Sequence, residues 1–223
     1  AKSAGVLEDR HLSVVRADLE RIVPMKGVFY QDYVPRLRAT HAKEVRSKRD
    51  AVEQVRKDIR SFKADKGVER VVVVWCASTE AFITPSAVHA SIDAFETGLD
   101  SDDPGISNAQ IYAWACLREG VAFANGAPNL SVDFPAAIEL AKETATPIAG
   151  KDFKTGQTLM KTIIAPGLKS RMLGMHGWCS TNILGNRDGE VLDDPSSFKT
   201  KETSKLGVLD AILEPEAHPD LYG

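Results

Sequence analysis

Val68 to Glu80, VERVVVVWCASTE, is the stretch that decides the fold. Five valines in seven positions, followed by Trp75, form a continuous apolar run rather than an alternating one, which is how a strand covered on both faces reads. The run predicts a central parallel strand. Directly after it the chain turns polar at Ser78, Thr79 and Glu80, at the carboxyl end of the strand, where open α/β sheets bind ligands.

Upstream, Lys43 to Lys66 places Val45, Val52, Val55, Ile59 and Phe62 near helical spacing and predicts an amphipathic surface helix that stops at Gly67. Its basic residues alternate with acidic ones, so they read as a solvated face and not as a nucleic-acid footprint. The first 40 residues, punctuated by Pro24, Gly27 and Pro35, read as loops. Downstream the unit recurs. Ser107 to Glu119 has helical spacing through Ile111, Ala115 and Leu117, and Val121 to Asn129, VAFANGAPN, reads as a short strand ending in a turn. Phe134 to Lys142 is a helix with proline near its start, and Thr146 to Gly150 is a third strand. Gln157 to Lys169 carries Leu159, Met160, Ile163 and Ile164 as a helix interrupted by Pro166. Strand and helix alternate, so the class is α/β.

At 223 residues, 43% hydrophobic and 26% charged, the chain has the composition of a globular protein with a real core. A net charge of −3 offers no broad attraction for nucleic acid, so any anion must be caught locally. Cys76, Cys116 and Cys179 are odd in number and far apart; neither a disulfide framework nor a zinc spacing is visible, and free thiols in a reducing cytoplasm are expected. No apolar run approaches the roughly 18 residues of a membrane span, and neither a membrane nor a metal partner is expected. Trp114, Trp178 and His176 read as packing residues.

Three polar, glycine-punctuated stretches carry the chemistry. In Gly150 to Thr158, GKDFKTGQT, the turn presents hydroxyls and main-chain N–H groups at a helix start, which suits a phosphate or cofactor or, more plainly, caps the helix. Asn182 to Gly189, NILGNRDG, is a turn by composition, and its amides and carboxylate are also suited to ribose or polyol hydroxyls. Lys201 and Lys205 stand four apart, on one helix face, either solvated or paired against a phosphate or a developing enolate.

Taken in order, WCASTEAF (75–82), FANGAPN (123–129), GKDFKTGQTLMK (150–161), NILGNRDG (182–189) and FKTKETSK (198–205) resemble the inositol-3-phosphate synthase family, whose familiar forms read approximately WTANTERF, FINGSPQN, GGDDFKSGQTKMK, NHLGNNDG and FRSKEISK. The resemblance runs from about Asp32 to the C-terminus. It implies an incomplete Rossmann-like parallel sheet with helices, the later part of an NAD-binding domain, over residues 1–158. The start of an α+β catalytic and tetramerisation domain would follow over 159–223. The implied enzyme is a cytoplasmic, homotetrameric, NAD-dependent isomerase of inositol and phospholipid biosynthesis. It converts D-glucose 6-phosphate to 1D-myo-inositol 3-phosphate by oxidation, enolisation, aldol cyclisation and reduction.

Carried over by resemblance, the cofactor-contacting positions are Cys76, Ala77, Ser78, Thr79, Gly126, Ala127, Asp152, Thr155, Asn186, Arg187, Asp188 and Lys201. Substrate-contacting positions are Asn182, Asn186 and Asp188, and the catalytic ones are Lys201, Lys205 and Asp152. Cys76, Ser78 and Ala127 have altered side chains, Thr155 replaces a serine, and Arg187 replaces an asparagine. No GxGxxG loop occurs, and family members continue past the position of Gly223. The chain therefore reads as an internal fragment that alone neither holds NAD tightly nor turns over. Two rivals remain: an NAD-linked sugar dehydrogenase, which would release net NADH, and a non-catalytic oligomerisation module, which would self-associate without NAD affinity.

Overall fold

The computed structural model describes residues 8–153, 156–181, 185 and 187–222. In chain order its elements are α1 (Asp9–Glu20), α2 (Lys48–Lys66), β1 (Val72–Trp75), α3 (Ile92–Asp100), α4 (Asn108–Arg118), β2 (Ala122–Asn125), α5 (Pro135–Glu143) and β3 (Ile148–Ala149). Then come α6 (Gly156–Ser170), α7 (Asp188–Leu192), α8 (Pro195–Leu213) and α9 (Pro219–Tyr222). The three strands form one parallel sheet in the order β1-β2-β3, as the α/β reading requires. Val72 pairs with Ala122 and Trp75 with Asn125, so β1 and β2 end level with each other.

Local signals set the helix limits. Ser47 caps α2 by accepting from the Asp50 N–H, and Gly67 ends it in the left-handed conformation, φ +60°. Pro135 opens α5 at a position where its missing N–H is not needed. The main core joins α2, α3, α4 and α5 to one face of the sheet through Val52, Phe95, Trp114, Phe123 and Leu140. At its centre Phe95 stacks on Trp114 at 4.2 Å and on Phe134 at 5.4 Å between ring centroids. A second cluster, Ala165, Leu209, Leu213 and Tyr222, holds α6, α8 and α9 together.

Several expectations need correction, beginning with α2, which starts at Lys48 and not at Lys43. β1 is an edge strand among the described residues, and Val72 and Val74 are 63% and 49% exposed, because the helices cover only the face to which Val71, Val73 and Trp75 point. The first 40 residues are not all loop: α1 is a helix of twelve residues, none of them buried. Pro166 does not interrupt α6, which runs one further turn to Ser170. On α6 the inward face is Thr158, Lys161 and Ala165, whereas Leu159, Met160, Ile163 and Ile164 are exposed. Trp114 packs as read and Trp178 lies against the second cluster, but His176 is exposed.

Phe95→Ala should lower the unfolding free energy of the chain by about 3–5 kcal/mol, since the aromatic stack leaves the cavity little room to collapse. Val74→Thr on the open face should change it by less than about 0.5 kcal/mol. Urea unfolding of the two variants checks both values, and a large loss from Val74→Thr would contradict an open sheet face.

Candidate functional site

Because β1 and β2 are parallel and end in register, the loops after Trp75 and after Asn125 leave the sheet side by side. The Gly126 N–H donates to the Trp75 carbonyl at 2.8 Å, carrying the pairing one residue past the strands. A Cβ at Gly126 would lie 2.5 Å from the Phe153 ring and 2.8 Å from the Trp75 oxygen, so this approach requires glycine. The loop after β3 is laid on the second loop in turn. The Asp152 N–H donates to Ala127 O at 2.9 Å and the Phe153 N–H to Gly126 O at 3.2 Å. Asp152 itself adopts φ +64°, a left-handed conformation that costs a non-glycine residue on the order of 1 kcal/mol.

Together these loops bound a cleft of about 260 Å³. Cys76, Ala77, Ser78 and Thr79 line it from the first loop, and Gly126, Ala127 and Pro128 from the second. Asp152, Asp188, Leu192 and Lys201 complete the wall. Lys201, on α8, donates to both carboxylate oxygens of Asp152 at 3.1 and 3.2 Å, and the Ser204 hydroxyl donates to the same carboxylate at 3.4 Å. The pair is mostly shielded from water, which strengthens it relative to a surface ion pair. One helical turn on, the Lys205 ammonium is pushed below its ordinary pKa, first by burial and then by the charge of Lys201. A lysine in that state can both carry charge and give up a proton.

Beneath the cleft lies a buried polar brace. The Asn129 side chain accepts from the Glu80 N–H at 2.9 Å and donates to Ser78 O at 3.3 Å, while Asn125 donates to Asn129 O and accepts from the Ala127 N–H. Glu80 is buried and accepts from the Ala109 N–H in the first turn of α4 at 3.0 Å. Burial pushes its carboxyl up to about 7; the hydrogen-bonding groups of Ser107, Ala109 and Asn108 only partly counter this.

Nine of the residues named from the sequence therefore meet in one place: Cys76, Ala77, Ser78, Thr79, Gly126, Ala127, Asp152, Asp188 and Lys201. Lys205 stands next to them through its charge on Lys201 and Asp152. Arg187 does not line the cleft; its guanidinium is bidentate to Glu190 at 2.7 and 2.8 Å. Thr155, Asn182 and Asn186 lie outside the described residues. Sequence reading passed over Asn129, Ser204 and Lys161. Their signal was positional: Asn129 four residues after Asn125, Ser204 beside Lys205, and Lys161 three after Thr158 on one helix face.

A family model described as Myo-inositol-1-phosphate synthase matches residues 1–213. The chain belongs to the myo-inositol-1-phosphate synthase family. It is 54% identical to "Inositol-3-phosphate synthase 1" of Bacteroides thetaiotaomicron, over 100% of this chain and 52% of that protein. To "Inositol-3-phosphate synthase 1" of Oryza sativa subsp. japonica it is 40% identical, over 97% of this chain and 44% of that protein. Its fold matches a crystal structure of inositol-3-phosphate synthase from Caenorhabditis elegans with a TM-score of 0.89 and 31% identity, over 98% of this chain and 45% of that one. The chain thus spans about half the length of the synthases it matches. No helix among the described residues is long and apolar enough to cross a membrane.

For this family member the Glu80 carboxyl gives a pH signature. Its folded pKa lies above the ordinary 4.5, so its stabilising protonated form is fully present below about pH 4.5 and is lost as pH rises through about 7. Glu80→Gln cannot lose that proton. Relative to wild type it should gain stability between pH 4.5 and 7, by on the order of 3 kcal/mol, and hold the gain above that range. Urea unfolding at pH 4 to 9 reads the difference, and a constant offset across the range would contradict the assignment.

Proposed function

We propose that this chain supplies the cofactor and substrate centre of an inositol-3-phosphate synthase, an NAD-dependent isomerase that converts D-glucose 6-phosphate to 1D-myo-inositol 3-phosphate. The observation that carries this reading is the Asp152–Lys201 pair, set in the cleft at the ends of β1 and β2, with Lys205 one turn along. The cleft suits the cofactor: it sits at the carboxyl ends of parallel strands, Gly126 permits close main-chain approach, and the Ser78 and Thr79 side chains offer hydroxyls. NAD, when bound, supplies reversible hydride acceptance and return, so the overall conversion is redox-neutral.

The residues of the chain do the rest. Asp152 orients Lys201, whose ammonium stabilises negative charge as it develops on a sugar oxygen. Lys205, with its lowered pKa, exchanges a proton during enolisation and cyclisation. Asp188, with Asn182 and Asn186, orients hydroxyls of the open-chain sugar, and Cys76, Ala77 and Ala127 line the cofactor side of the cleft; for Thr155 and Arg187 a cofactor contact rests on the family resemblance alone. Residues 1–158 form the later part of the NAD-binding domain and 159–223 the start of the catalytic and tetramerisation domain, a division that the two separate hydrophobic clusters support. The exposed apolar side chains of α6 favour a homotetramer, and three free cysteines favour a reducing cytoplasm.

The test uses the protein completed to the length of its relatives. Lys201→Ala and Asp152→Asn should each reduce inositol phosphate formation from glucose 6-phosphate by about 10²–10⁴-fold in protein that keeps native circular dichroism, with thermal unfolding lowered by the loss of the shielded pair. Wild type should accumulate no NADH during turnover. Near-normal rates in either variant would sink the assigned roles, and steady NADH release would favour a dehydrogenase.

A further inference from the structure

One buried ion has no part in the reading above. Lys161, on the inward face of α6, is 2% exposed. Its ammonium donates to the Lys205 carbonyl at 2.9 Å and lies 5.9 Å from the centre of the Trp178 ring. Among the described residues it forms no ion pair, and Asp210 acts on it only at longer range. It shares the inward face of α6 with Ala165 and lies by Trp178, both of which belong to the second cluster. A leucine or methionine would pack there without the desolvation cost of an unpaired charge.

What the charge can act on is clear from the neighbouring elements. Lys205 faces Lys201 on its own helix, Asp152 on the loop after β3, and Lys161 on α6. Asp152 acts on both Lys201 and Lys205 and is hydrogen-bonded to Lys201, whereas the carboxylate that acts on Lys161 is Asp210. We infer that Lys161 is a positioning residue for Lys205: it clamps the α8 turn through the Lys205 carbonyl and sets a fixed positive charge behind the lysine pair. The inference rests on the reading that Lys201 and Lys205 act on substrate oxygens. The charge makes the Lys205 ammonium readier to release its proton. Lys161 is itself held below its ordinary pKa by burial, with Asp210 opposing.

The experiment follows the protonation of Lys205 directly, without turnover. The chain is labelled with acetic anhydride across pH 6 to 11, and peptide mass spectrometry reads the extent at Lys205, with exposed Lys66 as internal reference. Lys161→Met removes both charge and donor, whereas Lys161→Gln keeps a donor for the Lys205 carbonyl and removes only the charge. In both variants the Lys205 labelling midpoint should move to higher pH while that of Lys66 stays put. An unmoved midpoint in either variant with native circular dichroism overturns the inference. In the completed protein, Lys161→Gln should lower kcat by roughly ten- to a hundredfold with a smaller change in KM for glucose 6-phosphate. Wild-type kcat retained in that variant also overturns it. A wild type that turns over no glucose 6-phosphate sinks the synthase reading but leaves the labelling result standing.

Discussion

The parallel pairing of β1 with β2, level at Trp75 and Asn125, is the constraint on which everything else depends. Parallel strands deliver their carboxyl ends to the same side, so two loops that are 50 residues apart in the sequence emerge as neighbours. The Gly126 bond to Trp75 O extends that pairing into the loops, and the Asn129 brace fixes them from below. A slip of one residue would turn Trp75 and Phe123 out of the core and pull the loops out of line. Packing and the cleft are therefore set by the same register.

A second layer closes on the first through charge. α8 belongs to the packing cluster of Leu209 and Leu213, while Asp152 belongs to the loop laid on Gly126 and Ala127. The Lys201–Asp152 pair joins them, and a shielded pair of this kind is costly to break from one side because the remaining charge loses its partner. The α6–α8 contact adds Lys161 from beneath.

The elements with strong periodicity or clear caps were legible. Val52, Val55 and Ile59 mark the buried face of α2, Gly67 its end, and Pro135 the start of α5, whereas the Ser47 cap that starts α2 was passed over. The exposed side of β1 was not, because a run of valines records apolarity without recording whether anything covers it. α6 failed in a more instructive way. Its apolar residues do share helical spacing, yet the neighbour it packs against takes Thr158, Lys161 and Ala165, and nothing local in the sequence distinguishes the two faces. In the site, motif order named nine residues of the cleft, whereas Asn129 and Lys161 matter through partners 49 and 44 positions away and carry no motif of their own.

By itself the sequence determined the α/β alternation and the family, because these follow from short-range spacing and from five ordered blocks. Only the tertiary structure decided which carboxylate holds Lys201, that Glu80 is buried with a raised pKa, and that the buried Lys161 ammonium donates to the Lys205 carbonyl. Ion pairing, desolvation and mutual charge depend on distance and on the exclusion of water, and both are properties of the packed chain rather than of residue order.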